Sequence, residues 1–193
     1  MTSRRCLGLL CLTLLMAGCA SVRMPPKGSD CVRIGPSGLI CLLAPAQLPA
    51  IDARHMVTVR RAEQSDTFLG RLRIDREALR LAGTSLFGAH LFTITWDGRR
   101  LVSAPADSKM RPRLMLAMLQ VALADPGILE PHLYELELEV GHRRGAEARL
   151  LLEHGRLVTR IEIRGRQPAE ATFDMKVPPA GLTLHLQPLT ETP

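Results

Sequence analysis

Aromatic side chains are scarce in this sequence: one Trp, one Tyr and four Phe make up 3% of the chain. An interior built from it must rest on Leu, Ile, Val and Met. Long apolar runs are also missing. The stretch Leu7–Ala17 has only eleven residues, too short to cross a bilayer core, which needs roughly 20. Paired metal ligands are absent, because His55, His90, His132, His142, His154 and His185 are scattered and none forms a pair at ligand spacing. Each is expected at the surface or in a turn, and no metal or cofactor is expected. Gly83-Thr84-Ser85-Leu86-Phe87-Gly88 is not a nucleophile elbow. Glu135, Glu137 and Glu139 recur at period 2, which puts all three on one wet face, whereas acid–base pairs need one carboxylate in a drier place. Phosphate-binding and dinucleotide-binding glycine motifs are lacking as well. These absences point away from an enzyme.

What is there begins at the N-terminus. Met1-Thr2-Ser3-Arg4-Arg5 is a short basic start, Leu7–Ala17 an apolar run, and Leu15-Met16-Ala17-Gly18-Cys19 a close with small residues before a cysteine. This order resembles the lipobox of bacterial lipoproteins. The resemblance implies a signal peptide over residues 1–18 and a diacylglycerol thioether on Cys19. Several acyl chains on one cysteine anchor a protein durably, at about 0.8 kcal/mol per buried CH₂. Ala20 rather than Asp follows the cysteine, which by the same resemblance implies the outer membrane of a Gram-negative cell.

Removing the leader lowers the formal net charge from +6 to +4, since Arg4 and Arg5 are the charges lost. That mild excess suits anionic headgroups. The basic residues are spread along the chain rather than clustered, so nucleic acid is not an expected partner. Three cysteines remain. With Cys19 acylated, Cys31 and Cys41 are left in an oxidising compartment, where a disulfide between them can persist. Residues 19–37, with Pro25, Pro26, Gly28, Gly35 and Pro36, are expected to be a tether. Residues 38–193 are expected to form one β domain.

From residue 55 the dominant signal is alternation at period 2. Val57 and Val59; Phe68, Gly70, Leu72 and Ile74; and Phe92, Ile94 and Trp96 each line one face. Asp97-Gly98 marks a hairpin turn, with a return strand to Ala104. Tyr134, Leu136, Leu138 and Val140 alternate with polar residues, as do Ala146, Ala148, Leu150 and Leu152, then Leu157, Thr159, Ile161 and Ile163. Phe173, Met175, Val177, Leu182, Leu184 and Leu186 complete the series. The pattern predicts an antiparallel sheet with one apolar face and one wet face.

Pro112 to Ala124 breaks this pattern. It opens with Pro, has one β-branched residue and stops before Asp125-Pro126-Gly127, which predicts a helix. The helix is apolar nearly all round, with Arg113 and Gln120 its polar residues, so it should be covered on several sides by other segments or by a ligand. A sheet curled about it gives an incomplete antiparallel barrel. Its inner face would carry Phe92, Ile94, Trp96, Leu136, Leu138, Ile161, Ile163, Leu184 and Leu186, and the helix Leu114, Met118 and Val121. These residues line either an apolar ligand cavity or a filled core.

The run Leu91-Phe92-Thr93-Ile94-Thr95-Trp96-Asp97-Gly98, with the lipobox and the β-rich pattern, resembles the LolB-like outer-membrane lipoproteins. More closely, the chain is similar to an uncharacterised lipoprotein family of that fold whose genes often accompany aryl polyene lipid biosynthesis. That family sets an apolar helix with a Gln and a following Pro between two sheet halves, matched here by Leu119-Gln120-Val121-Ala122-Leu123 and Pro126. The resemblance spans about residues 55–165 and implies a LolA/LolB-like half-barrel with the helix as lid, binding acyl chains. It implies lipid or lipoprotein cargo, a periplasmic carrier protein as donor, and membrane contact through an apolar loop residue. Leu86 or Phe87 would serve there, unless both are the first inward residues of the next strand. A conventional amphipathic helix before the first strand is lacking, a departure from LolB. The competing expectation is a non-enzymatic scaffold of an envelope complex, working through a charged outer face over a dry core.

Overall fold

The computed structural model describes residues 24–26, 28–104, 111–143 and 145–189. Residues 1–18, expected to be a signal peptide, and Cys19, the expected acylation site, lie outside the described residues. The fold is mainly antiparallel β-sheet. Ten strands form one sheet: β3 (Ile51–Arg61), β4 (Gln64–Ile74), β5 (Leu79–Thr84), β6 (His90–Trp96), β7 (Leu101–Ala104), β9 (Glu137–Arg143), β10 (Ala146–Glu153), β11 (Arg156–Arg164), β12 (Thr172–Val177) and β13 (Leu182–Pro188). Their order is β7-β6-β5-β4-β3-β13-β12-β11-β10-β9. Two meanders are thus joined where the first long strand meets the last one, with Val57 opposite Leu186 and Val59 opposite Leu184. The sheet is not closed: β7 and β9 are its edges.

A second sheet of three short strands, β1 (Cys31–Arg33), β2 (Leu39–Cys41) and β8 (Leu133–Tyr134), lies apart. The alternation in the sequence does not reveal it, because strands of two or three residues show no period. Two expectations change here. The segment taken for the end of a tether carries β1, and Cys31 pairs directly with Cys41 and is disulfide-bonded to it. The strand expected from Tyr134 to Val140 is broken at Glu135, whose φ of 55° turns the chain. Leu133 and Tyr134 therefore pair with Ile40 and Leu39, while β9 joins the large sheet.

Helix α1 (Pro112–Leu123) occupies the interior. Pro112 opens it with a φ already suited to a helix and no N–H to satisfy. It ends where Ala124 turns extended and Asp125 caps the one-turn helix α2 (Pro126–Leu129), accepting from Gly127 N–H at 2.9 Å. Every residue from Leu116 to Leu123 is buried. At 100° per residue these eight point in all directions, so α1 is enclosed on every side. Met118 Sδ meets the Thr159 hydroxyl of β11 at 4.0 Å, whereas Gln120, roughly 200° further round the axis, bonds the backbone of Leu43. The large sheet covers one flank. Ile34, Ile40, Leu42, Leu43, Leu48 and Leu133, in and around the small sheet, supply the apolar cover elsewhere and belong to the same core. Chain segments, not a ligand, provide that cover.

Strands at both ends of the large sheet are tied to this one helix, β10 directly and β6 through Leu43. Trp96 of β6 donates to Leu43 O, which also accepts from Gln120, and Arg149 of β10 donates to Val121 O. β6 and β10 stand seven strand spacings apart. In a flat sheet that is roughly 34 Å, while an α-helix with its side chains is about 10–12 Å across. The sheet therefore curls around α1.

Candidate functional site

Most side chains expected to line a hollow pack against one another instead. Phe92, Ile94, Trp96, Met118, Val121 and Ile161 are at most 3% exposed, and Leu184 and Leu186 are buried beside them. Leu136, Leu138 and Ile163 are partly buried against the same core. Phe92 lies over Gly83 on the neighbouring strand, where a Cβ would overlap its ring, and meets Phe68 edge-on with ring centroids 5.3 Å apart. Only Leu114, of the twelve expected cavity residues, borders the open space described next.

A cavity of about 440 Å³ opens at the N-terminal end of α1. Ile34, Leu114, Val177 and Ala180 form its apolar wall, and Arg33 and Arg111 its basic one. A smaller cavity of about 200 Å³ shares Arg33, Arg111 and Leu114 and adds Arg113. The turn that carries Ile34, Gly35 and Pro36 to the larger cavity is held by two devices. The turn between β1 and β2 closes with Ile34 N–H donating to Gly38 O at 2.8 Å. Glu153 then takes that turn from beneath: its Oε1 accepts from Ser37 N–H, the Ser37 hydroxyl and Gly38 N–H at 2.5–2.7 Å. The Ser37 hydroxyl, then the two backbone N–H groups, hold the Glu153 carboxyl below its ordinary range. Gly35 in this turn has φ 82°, and a Cβ on it would strike the Glu153 carboxylate.

The polarity of β10 reverses the expectation. Arg149, Leu151 and Glu153 are buried, while Ala148, Leu150 and Leu152 are only partly so. Arg149 Nη1 donates to Val121 O at 2.8 Å and Ala124 O at 2.5 Å, and its Nε to Glu147 at 2.6 Å. Arg149 thus caps the C-terminal carbonyls of α1, where a cation is favoured. His55 also departs from expectation: it is buried on the inner face of β3, and its Nε2 lies 3.2 Å from Ala171 O. Burial pushes the imidazole pKa down, against the opposing effect of that hydrogen bond.

The β5–β6 hairpin tip carries Leu86 and Phe87, 56% and 97% exposed. Of the two placements open in the sequence, the structure has the outward one. β5, which alternation in the sequence missed, ends at Thr84, so the loop is shorter than Gly83–Gly88 suggests. The registers put this tip, the β3–β4 turn and the Pro178–Ala180 turn at the same end of the sheet, and the last of these borders the cavity.

The convex face is wet and laced with ion pairs. Asp174 bonds His185 Nδ1 and Arg164, each at 2.6 Å, and Arg164 and Arg160 both reach Glu162. Among the described residues no group of three or more His, Cys, Asp or Glu side chains could hold a metal. No described helix is long and apolar enough to cross a membrane.

These features define a class: an antiparallel β domain wrapped about one enclosed helix, stapled by a disulfide, with a hollow of small-molecule size at one end. The chain belongs to the DUF3261 family, described as a protein of unknown function, which it matches over residues 52–190. No curated protein matches it.

Proposed function

We propose that this protein is a lipoprotein anchored through acylated Cys19 to the periplasmic face of the outer membrane. In this reading its domain is an incomplete LolA/LolB-like barrel that serves as a non-enzymatic carrier or chaperone for lipids or lipoprotein acyl chains. Export of aryl polyene lipids is the setting suggested by the resemblance to the uncharacterised lipoprotein family of that fold, and a periplasmic carrier protein as donor is suggested by the resemblance to LolB. The observation that carries the reading is the pairing, at one end of the sheet, of the cavity beside Leu114 with the exposed tip of Leu86 and Phe87. An apolar tip touches a bilayer at low cost, and a hollow at the same end of the sheet receives what leaves that bilayer.

Native mass spectrometry of residues 20–193, purified from a periplasmic extract, tests the proposal. A bound acyl or polyene lipid that is lost on denaturation is the expected result. A chain that stays free when lipids are offered would overturn it. One observation favours a second reading, a scaffold of an envelope complex: the interior between α1 and the sheet is packed, and the Arg160–Glu162–Arg164–Asp174 network gives the outer face a patterned charge.

A further inference from the structure

We propose that the cavity at the N-terminal end of α1 takes a single-chain amphiphile whose polar end is an oxyanion, an inference that rests on the carrier reading and names its cargo class. The cavity wall has two chemistries. Ile34, Leu114 and Val177 present apolar surface and are each at most 4% exposed, so they are fixed in the core rather than free to collapse inward. Arg33 and Arg111 bring two positive charges; among the described residues no Asp or Glu lines the same wall, and the Glu153 carboxylate beneath it is bound to Ser37 and Gly38.

Among the described residues those charges are not used up. Arg113, at the adjoining cavity, is paired with Asp30 at 2.5 Å. Arg111 has no side-chain partner among the described residues. Arg33 gives one N–H to Pro36 O at 2.7 Å, and a guanidinium has five to give. Arg111 also stands at the N-cap of α1, where no side chain caps the first turn, so the positive end of a twelve-residue helix adds to the same field. A greasy wall beside unpaired guanidinium groups suits a ligand with an apolar tail and a carboxylate or phosphate head, because charge-assisted bonds to arginine are strong and directional. The volume of about 440 Å³ is at the lower end of the roughly 300–1,000 Å³ usual for ligand pockets. That favours one chain over a bundle of several.

The test uses residues 20–193, which hold every described element, with laurate, dodecanol and inorganic phosphate as probes in calorimetric titration. Laurate and dodecanol share a chain length and differ in charge. Laurate should bind at least about tenfold more tightly than dodecanol. Arg111→Glu should erase that preference with no loss of thermal stability, since the side chain it replaces is exposed and without a partner among the described residues. Ala180→Trp should block both probes by filling the cavity, with the melting temperature checked to confirm folding. Dodecanol binding as tightly as laurate, or Arg111→Glu binding laurate like the native chain, would overturn this inference and leave the carrier reading standing. Phosphate binding as tightly as laurate would overturn the part of the inference that requires a tail. If neither amphiphile binds, the carrier reading falls and this one with it.

Discussion

The side chain of Gln120 bonds both polar groups of one residue, Leu43: its Oε1 accepts from Leu43 N–H at 2.7 Å and its Nε2 donates to Leu43 O at 3.2 Å. Trp96 donates to the same carbonyl at 2.7 Å. Gln120 is fully buried, so water cannot replace these bonds. The amide fixes the rotation of α1 against the segment that follows the small sheet. Gln120→Leu keeps the volume but leaves Leu43 N–H without a partner. It should cost about 1–3 kcal/mol, read as a lower urea midpoint with an unchanged slope.

Arg149 holds the other end of α1 through Val121 O and Ala124 O. Arg149→Met removes both bonds and should lower stability by about 1.5–3 kcal/mol, the usual range for hydrogen bonds to a charged group. Arg149→Lys keeps the charge and loses the planar fork, so it should recover only part of that loss. Thermal denaturation of the two variants side by side checks the order.

Two pH effects follow, with the same sign. Glu153 has a lowered pKa in the fold, so its contribution is present above the ordinary value of 4.5 and is lost as pH falls through the folded value. His55 also has a lowered pKa; the unfolded chain takes up its proton first, and stability declines as pH drops below about 6.5. Acid titration of stability should therefore fall in two stages, the lower shared by Glu153 with Asp52, Asp75, Asp97 and Asp174 and the upper shared by His55 with His132. Glu153→Gln should shrink the lower stage, and His55→Phe the upper. A Glu153→Gln curve that overlays the native one would refute the first assignment.

The Cys31–Cys41 bridge closes a ten-residue separation. Loop-closure entropy at that length amounts to about 2–3 kcal/mol. The Cys31→Ala/Cys41→Ala pair should lose that much stability. Since β1 touches α1, with Val32 and Arg33 beside Pro112–Leu114 at the smaller cavity, hydrogen exchange should rise there before it rises in the large sheet.

Phe87 is 97% exposed, so Phe87→Glu should leave the melting temperature unchanged. If the tip touches lipid, the same change should abolish co-flotation of residues 20–193 with phosphatidylethanolamine–phosphatidylglycerol vesicles. Equal flotation of the two chains would remove the membrane-contact role.

Much of the fold was legible because local chemistry settles it. Pro112 and the Ala124-Asp125-Pro126 stop bound α1 within a residue of expectation. Alternation in Phe68–Ile74, Phe92–Trp96, Phe173–Val177 and Leu182–Leu186 names the buried face of β4, β6, β12 and β13 correctly. It fails at β10 because both of its faces offer leucine. Leu151 is fully buried and Leu150 and Leu152 only partly, while Arg149 and Glu153 turn inward to reach backbone groups far away in the sequence. No pattern within Ala146–Glu153 carries that information.

The sequence by itself determined the helix, the long alternating strands and the Asp97-Gly98 hairpin turn, since each depends on residues within a few positions. Only the tertiary structure decided that β3 pairs with β13, that Cys31 and Cys41 join in a second sheet, and that α1 is covered by protein on every side. It also moved the hollow from the sheet–helix interior to the helix N-terminus. Leu114, Val177 and Arg33 meet there from three distant segments, and contacts of that kind arise from chain closure rather than from local preference.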